Sequence, residues 1–92
     1  MVNVLDYCDI LNIEIRIIYY PNQDGRWSAS FVGCEIFEGA SLLSAHGNAK
    51  TPHNAVADYL HQIRGKRIVL HAMERTMRRE YDVPSELLGI PE

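Results

Sequence analysis

The sequence predicts an α+β chain: a small antiparallel β-sheet of three or four strands with one main helix packed on one face, in the order (α)βββαβ. Three observations predict it. An alternating, β-branched run over residues 12–20 ends in Pro21-Asn22-Gln23-Asp24-Gly25, and a second alternating run follows. An amphipathic stretch opens at Thr51-Pro52 and closes at Gly65. A short apolar run, Ile68-Val69-Leu70, returns directly after it.

At the N-terminus, Val4, Leu5, Cys8 and Leu11 fall at helical spacing behind Asn3, a suitable N-cap. Residues 1–11 therefore read as a short helix, or as an extended arm, since so short a segment is not helical without packing. Ile13, Ile15, Ile17 and Tyr19 then alternate with Glu14, Arg16 and Ile18, the pattern of a half-buried strand. Pro21 fixes φ and Asp24-Gly25 supplies a positive-φ position, so the chain reverses into a second strand at Arg26 or Trp27. There Trp27, Ala29 and Phe31 share one face, while Cys34 and Ile36 resume on the other parity. A one-residue slip with Gly33 inside it predicts a β-bulge.

Glu38-Gly39-Ala40-Ser41 turns the chain, residues 42–46 form a short third strand, and Gly47-Asn48-Ala49-Lys50 breaks the pattern. Thr51 caps the main helix, and Pro52 lacks only an N–H that would be unpaired there. Ala55, Val56, Tyr59, Leu60 and Ile63 form its apolar stripe, and Gly65 suits the position just past its end. Residues 66–71 return as a fourth strand. Residues 72–92 read as a charged tail, with Ser85 to Leu88 as one helical turn after Val83-Pro84. Ile15, Trp27, Val56, Tyr59, Leu60 and Ile63 are expected to share one core.

With 92 residues, 47% of them hydrophobic and 23% charged, the composition is that of one globular domain spanning 1–92. It excludes a disordered or collagen-like chain. No apolar run approaches the ~18–20 residues of a membrane span, and no basic-then-apolar leader is visible. Two cysteines, Cys8 and Cys34, do not make a disulfide scaffold, so the expected location is the cytoplasm.

The formal net charge of −3 hides an asymmetry. Arg64, Lys66, Arg67, Arg75, Arg78 and Arg79 crowd into residues 64–79, where Glu74 is the one acid. Residues 1–63 are acidic on balance, and Glu80, Asp82, Glu86 and Glu92 follow the stripe. Such a stripe either attracts phosphates or an acidic partner, or is a solvated face paired with nearby carboxylates.

The elements Asp24-Gly25, Gly33-Cys34, Gly47, Thr51 and Ala55 resemble the N-terminal module of HicB-type antitoxins. That resemblance implies a fold related to double-stranded-RNA-binding domains. The Gly47-to-Thr51 spacing is longer than in that module, and His53-Asn54 stand where it carries paired acids. Residues 72–92 are too short for the DNA-binding domain of a full HicB antitoxin. Thr51-Pro52-His53-Asn54-Ala55, Gly65-Lys66-Arg67-Ile68-Val69 and Arg78-Arg79-Glu80-Tyr81-Asp82-Val83-Pro84 together look like small orphan proteins of bacteriophages. That likeness implies a phage accessory protein in the host cytoplasm, binding a host or phage macromolecule.

No nucleophile motif, P-loop, H-E-x-x-H or C-x-x-C is present, so the sequence assigns no catalytic residue, no metal ligand and no cofactor. His53 and His61 lie two helical turns apart, too far to share a metal ion. His46 and His71 read as separate surface or capping residues. Cys34 reads as a small buried hydrophobe rather than a reactive thiol, because Glu35 beside it opposes a thiolate. Tyr20 and Phe37 fall by parity on the outer face of the hairpin and are candidate contact aromatics.

Two function classes remain. In the first, the chain binds a host or phage protein stoichiometrically and performs no turnover; an anti-defence, anti-CRISPR-like inhibitor belongs here. In the second, Arg64, Lys66, Arg67, Arg75, Arg78 and Arg79 bind nucleic acid, against which the sequence pI of about 5.7 weighs. A HicB-like antitoxin fragment is a further alternative. A protein partner is preferred to nucleic acid, and no membrane is implied. Apolar residues on both hairpin faces predict a homodimer or higher homo-oligomer.

Overall fold

Both expected helix caps form. In the computed structural model, which describes residues 2–91, the Asn3 side chain accepts the Asp6 N–H at 2.9 Å. The Thr51 hydroxyl accepts the Asn54 N–H at 3.1 Å. Between and beyond these caps the chain runs α1 (Val4–Leu11), β1 (Ile15–Tyr20), β2 (Arg26–Phe31), β3 (Cys34–Glu38), β4 (Ser41–Leu43), β5 (Gly47–Ala49), α2 (Pro52–Ile63), β6 (Arg67–Leu70) and β7 (Arg79–Asp82). The class is α+β and every named strand pair is antiparallel.

The single sheet expected from the sequence is two sheets, ordered β1-β2-β5 and β4-β3-β6-β7. The parity slip around Gly33 is not a bulge within one strand. It is the corner at which the chain leaves the first sheet and enters the second. Gly33 sits at φ +66°, a left-handed turn that an L-residue adopts only under strain. The β1-β2 hairpin holds its register from Ile15↔Phe31 to Tyr20↔Arg26, and β3 pairs instead with β4 and β6.

Residues 47–50 were expected to break the pattern, yet Gly47–Ala49 form β5 against Trp27–Ala29. Gly47 is required there for a steric reason. A Cβ on it would collide with the Ala55 carbonyl oxygen and come within 2.8 Å of the Tyr59 Cβ. Absence of that atom lets α2 lie directly on β5. The third strand is shorter than expected, Ser41–Leu43, and the chain leaves the sheet before His46.

Within the stretch read as a charged tail, Arg79 to Leu88 pack into the fold. β7 pairs with β6 from Leu70↔Arg79 to Arg67↔Asp82. Val83 and Leu87 enter the core, and Leu88 exchanges main-chain hydrogen bonds with the start of α1, Val4 N–H to Leu88 O at 2.8 Å and Leu88 N–H to Val2 O at 3.0 Å. Ser85 to Leu88 is a turn, not a helical segment.

One core joins these layers. Val4 and Tyr7 from α1, Phe31 from β2, Ile36 from β3, Tyr59, Leu60 and Ile63 from α2, Ile68 and Leu70 from β6, and Leu87 belong to one buried cluster. Tyr59 meets Phe31 edge-on, with ring centroids 5.3 Å apart at 88°. Val56, Tyr59, Leu60 and Ile63 are buried as expected, while Ile15 and Trp27 pack half-buried at the margin. Tyr19, assigned to the inner face by alternation, is 49% exposed, its ring tilted against Trp27 at 5.0 Å.

Candidate functional site

The basic stripe does not form one open patch. Arg64 Nε donates to the Leu87 carbonyl at 2.8 Å, fastening the last turn of the chain to the end of α2. Lys66 Nζ lies 3.2 Å from the Glu38 carboxylate. Arg67 donates to both oxygens of Asp82, at 3.1 and 3.4 Å, and stands 3.6 Å from Glu80. That bidentate pairing raises the Arg67 pKa and lowers that of Asp82. Arg78 holds Glu80 at 3.1 Å and the Ala72 carbonyl at 3.1 Å.

Arg79 has the most structural position of the six. Its Nη1 donates to the Leu11 carbonyl at 2.7 Å and its Nη2 to the Asn12 carbonyl at 3.4 Å. Those carbonyls are at the C-terminal end of α1, where orphan acceptors and the helix dipole favour a cation. The guanidinium also lies 5.8 Å above the Tyr81 ring. Arg75 alone among the six has no polar partner within the described residues. Of the acids expected to answer the stripe, Glu80 and Asp82 do so, and Glu86 makes none of the described ion pairs.

The two candidate aromatics are not on one face. Tyr20 ends β1 in the first sheet, 38% exposed, whereas Phe37 is half-buried on β3 in the second, opposite Leu42. The corner at Gly33 separates them, and no parity count that treats residues 26–38 as one strand finds it. Near Tyr20, Ile18 and Tyr19 are also exposed, at 37% and 49%.

The first sheet has an open outer face. α2 packs on its inner side, so Arg16, Ile18 and Tyr20 of β1, Ser28 and Ser30 of β2 and Asn48 of β5 face away from the helix. Tyr20, Gln23, Ser28, His46 and Asn48 border a shallow groove of about 250 Å³. Beside it, at the corner between the sheets, a cleft of about 430 Å³ is bordered by Arg16, Ser30, Gly33, His46, His71 and Glu74. Sequence reasoning missed this cleft. Its signal, the Gly33 slip, is local, but the return of His71 to Gly33 (His71 N–H to Gly33 O, 3.0 Å) is a long-range contact.

His46 and His71 thus border one cleft, while His53 and His61 are exposed on α2. No group of three or more His, Cys, Asp or Glu side chains within the described residues is arranged to hold a metal ion. Burial pushes the Cys34 thiol up to about 11, and burial likewise takes Cys8 to about 11. Both are protonated at neutral pH and poor nucleophiles. Both are free rather than bridged. No helix within the described residues is long and apolar enough to cross a membrane.

No family model, curated protein or solved structure matches this chain. The likeness to HicB-type modules and to phage orphan proteins rests on the sequence motifs alone.

Proposed function

We propose that this chain acts by stoichiometric binding rather than turnover, that its partner is a protein, and that it works as a homo-oligomer. The observation that carries the reading is the contrast between its two exposed chemistries. Five of the six stripe cations are already held by carboxylates or carbonyls of the same chain. The apolar and aromatic end of β1 stands free beside an open, hydroxyl-rich sheet face. A cation that already has a carboxylate must surrender it to gain a phosphate, which removes much of the counterion-release gain that drives nucleic-acid binding. Exposed tyrosines with an isoleucine and an arginine beside them, here Tyr19, Tyr20, Ile18 and Arg16, include the residue types enriched where proteins meet.

A mobility-shift assay at ~50 mM salt tests the choice of partner class. No shift of duplex DNA or RNA is expected at micromolar protein. A shift that Arg75→Ala with Arg78→Ala abolishes would overturn the protein-partner reading in favour of the basic stripe. Arg79 is left intact in that variant because it holds the end of α1.

A further inference from the structure

The two sheets present four edges, and three of them are blunted. β4 and β5 are three residues each, and β5 runs straight into α2. β7 is four residues and carries Arg79, Glu80 and Asp82. β1 is six residues, Ile-Arg-Ile-Ile-Tyr-Tyr, with one charge, no proline and no bulge. Sheet edges are ordinarily protected by shortness, charge, proline or a bulge, and β1 has none of these beyond Arg16.

Its free main-chain groups can be identified. The Glu14 carbonyl accepts from the Val32 N–H at 2.9 Å, so residue 14 bonds toward β2. Alternation along an antiparallel ladder then turns the N–H and C=O of Ile15, Ile17 and Tyr19 away from β2, into the open edge. β2 is the sole strand hydrogen-bonded to β1 within the described residues.

We propose that a second copy of this chain pairs antiparallel along β1 about a two-fold axis at Ile17, joining two three-stranded sheets into one continuous sheet. This rests on the homo-oligomer part of the reading above and names its interface. The residue pattern of β1 is compatible with a second copy as the occupant, since antiparallel self-pairing sets no like charges directly opposite each other and places Arg16 near an aromatic ring. Along the outer face β1 and its lead-in read Glu14, Arg16, Ile18, Tyr20, a charged half followed by an apolar half. A two-fold at Ile17 lays the charged half of each copy on the apolar half of the other. Arg16 comes opposite Ile18 and diagonal to Tyr20, within reach of a cation–π contact, and Glu14 comes opposite Tyr20. On the inner face Ile17 meets Ile17 and Ile15 meets Tyr19.

Neighbouring registers are worse. A two-fold at Arg16 sets the two guanidinium groups directly opposite each other, which is destabilising. A two-fold at Ile18 sets Ile15 opposite Pro21, which has no N–H to give. At Ile17 all three outward residues pair, for about six main-chain hydrogen bonds. The two Arg16 side chains are then diagonal across the axis, each with its own Glu14 at 3.9 Å. One strand pair about 20 Å long is a small interface, so the dimer is expected to dissociate at micromolar concentration. Pairing also brings Arg16, Ile18 and Tyr20 from both copies onto one face, doubling the surface offered to the protein partner.

Sedimentation velocity from about 1 to 100 μM tests this register. The wild-type chain is expected to pass from monomer to dimer over that range. Ile18→Lys sets like charges directly opposite each other twice per dimer and is expected to weaken association on the order of tenfold. Adding Arg16→Glu to Ile18→Lys restores an opposite-charge pair at both positions and is expected to restore the dimer. Circular dichroism verifies that both variants fold, as their exposed positions allow. A wild-type chain that is monomeric at about 100 μM, or a dimer indifferent to Ile18→Lys, or a double variant that fails to recover, overturns the proposal. A dimer indifferent to these substitutions leaves the homo-oligomer reading intact and places its contact elsewhere, and partner capture is scored separately.

Discussion

The two sheets of this molecule solve the same problem in opposite ways. The second sheet ends on β7, a short edge strand whose Glu80 and Asp82 meet Arg67 and Arg78 of the same chain. The first leaves β1 long, apolar and, among the described residues, paired on one side alone. Charges that look like a binding stripe in the sequence therefore pair within one sheet, while Ile18, Tyr19 and Tyr20 stand exposed on the other. The difference teaches that charge clustering in sequence is a weak guide to function until its partners are placed.

The comparison breaks most severely if either sheet loses its hold on the common core. Leu60 of α2 anchors the first sheet and Leu87 anchors the C-terminal segment, and both are essentially fully buried. Leu60→Ala and Leu87→Ala are each expected to cost ~2–5 kcal/mol, through lost burial and the cavity left behind. Urea unfolding measures both. A cost below about 0.5 kcal/mol for Leu87→Ala would mean the segment after β7 is an appendage, as its composition suggests, and not part of the core.

That segment shows where sequence reading stops. The caps at Asn3 and Thr51, the hairpin turn and the α2 stripe are decided by local rules and are legible. β5 and β7 are decided by distant partners: Gly47–Ala49 by Trp27–Ala29, and Arg79–Asp82 by Arg67–Leu70. A strand of three or four residues with glycine or several charges carries no periodicity of its own to read. The exposure of Tyr20 follows from parity, but its separation from Phe37 depends on a corner that a parity slip does not distinguish from a bulge.

Arg79 provides a milder break. Its bonds to the Leu11 and Asn12 carbonyls tie β7 to α1, and a charged donor lost from a half-buried site costs about 1–2 kcal/mol after allowance for solvent. Arg79→Ala is expected to lower the unfolding midpoint and to speed amide exchange in α1 more than in α2. Uniform exchange in the two helices would show that Arg79 is not what fastens α1.

The smallest effect sharpens the comparison instead. Asp82 has its pKa lowered in the fold, chiefly by its hydrogen bonds to Arg67. A depressed acid contributes stability above its unfolded value, near 4, and loses it as pH falls through its folded value. Wild-type protein is thus expected to lose the Arg67–Asp82 contribution below about pH 4, while Asp82→Asn shows no such loss at that site. Carbon-detected NMR titration of the carboxylates reads it directly, and an Asp82 titration at or above the ordinary value would remove the ion pair from the account.

The claim on which the rest depends is that the open face of the first sheet, with Ile18 and Tyr20, receives a protein. Affinity capture from a nuclease-treated lysate of the cells that natively express the chain tests it most directly, with the captured material quantified against bait. The expected result is one protein retained in stoichiometric amount with or without nuclease, and lost from a Tyr20→Ala, Arg16→Ala variant that folds normally. Retention of nucleic acid that nuclease abolishes, or a protein held equally well by that variant, would contradict the account.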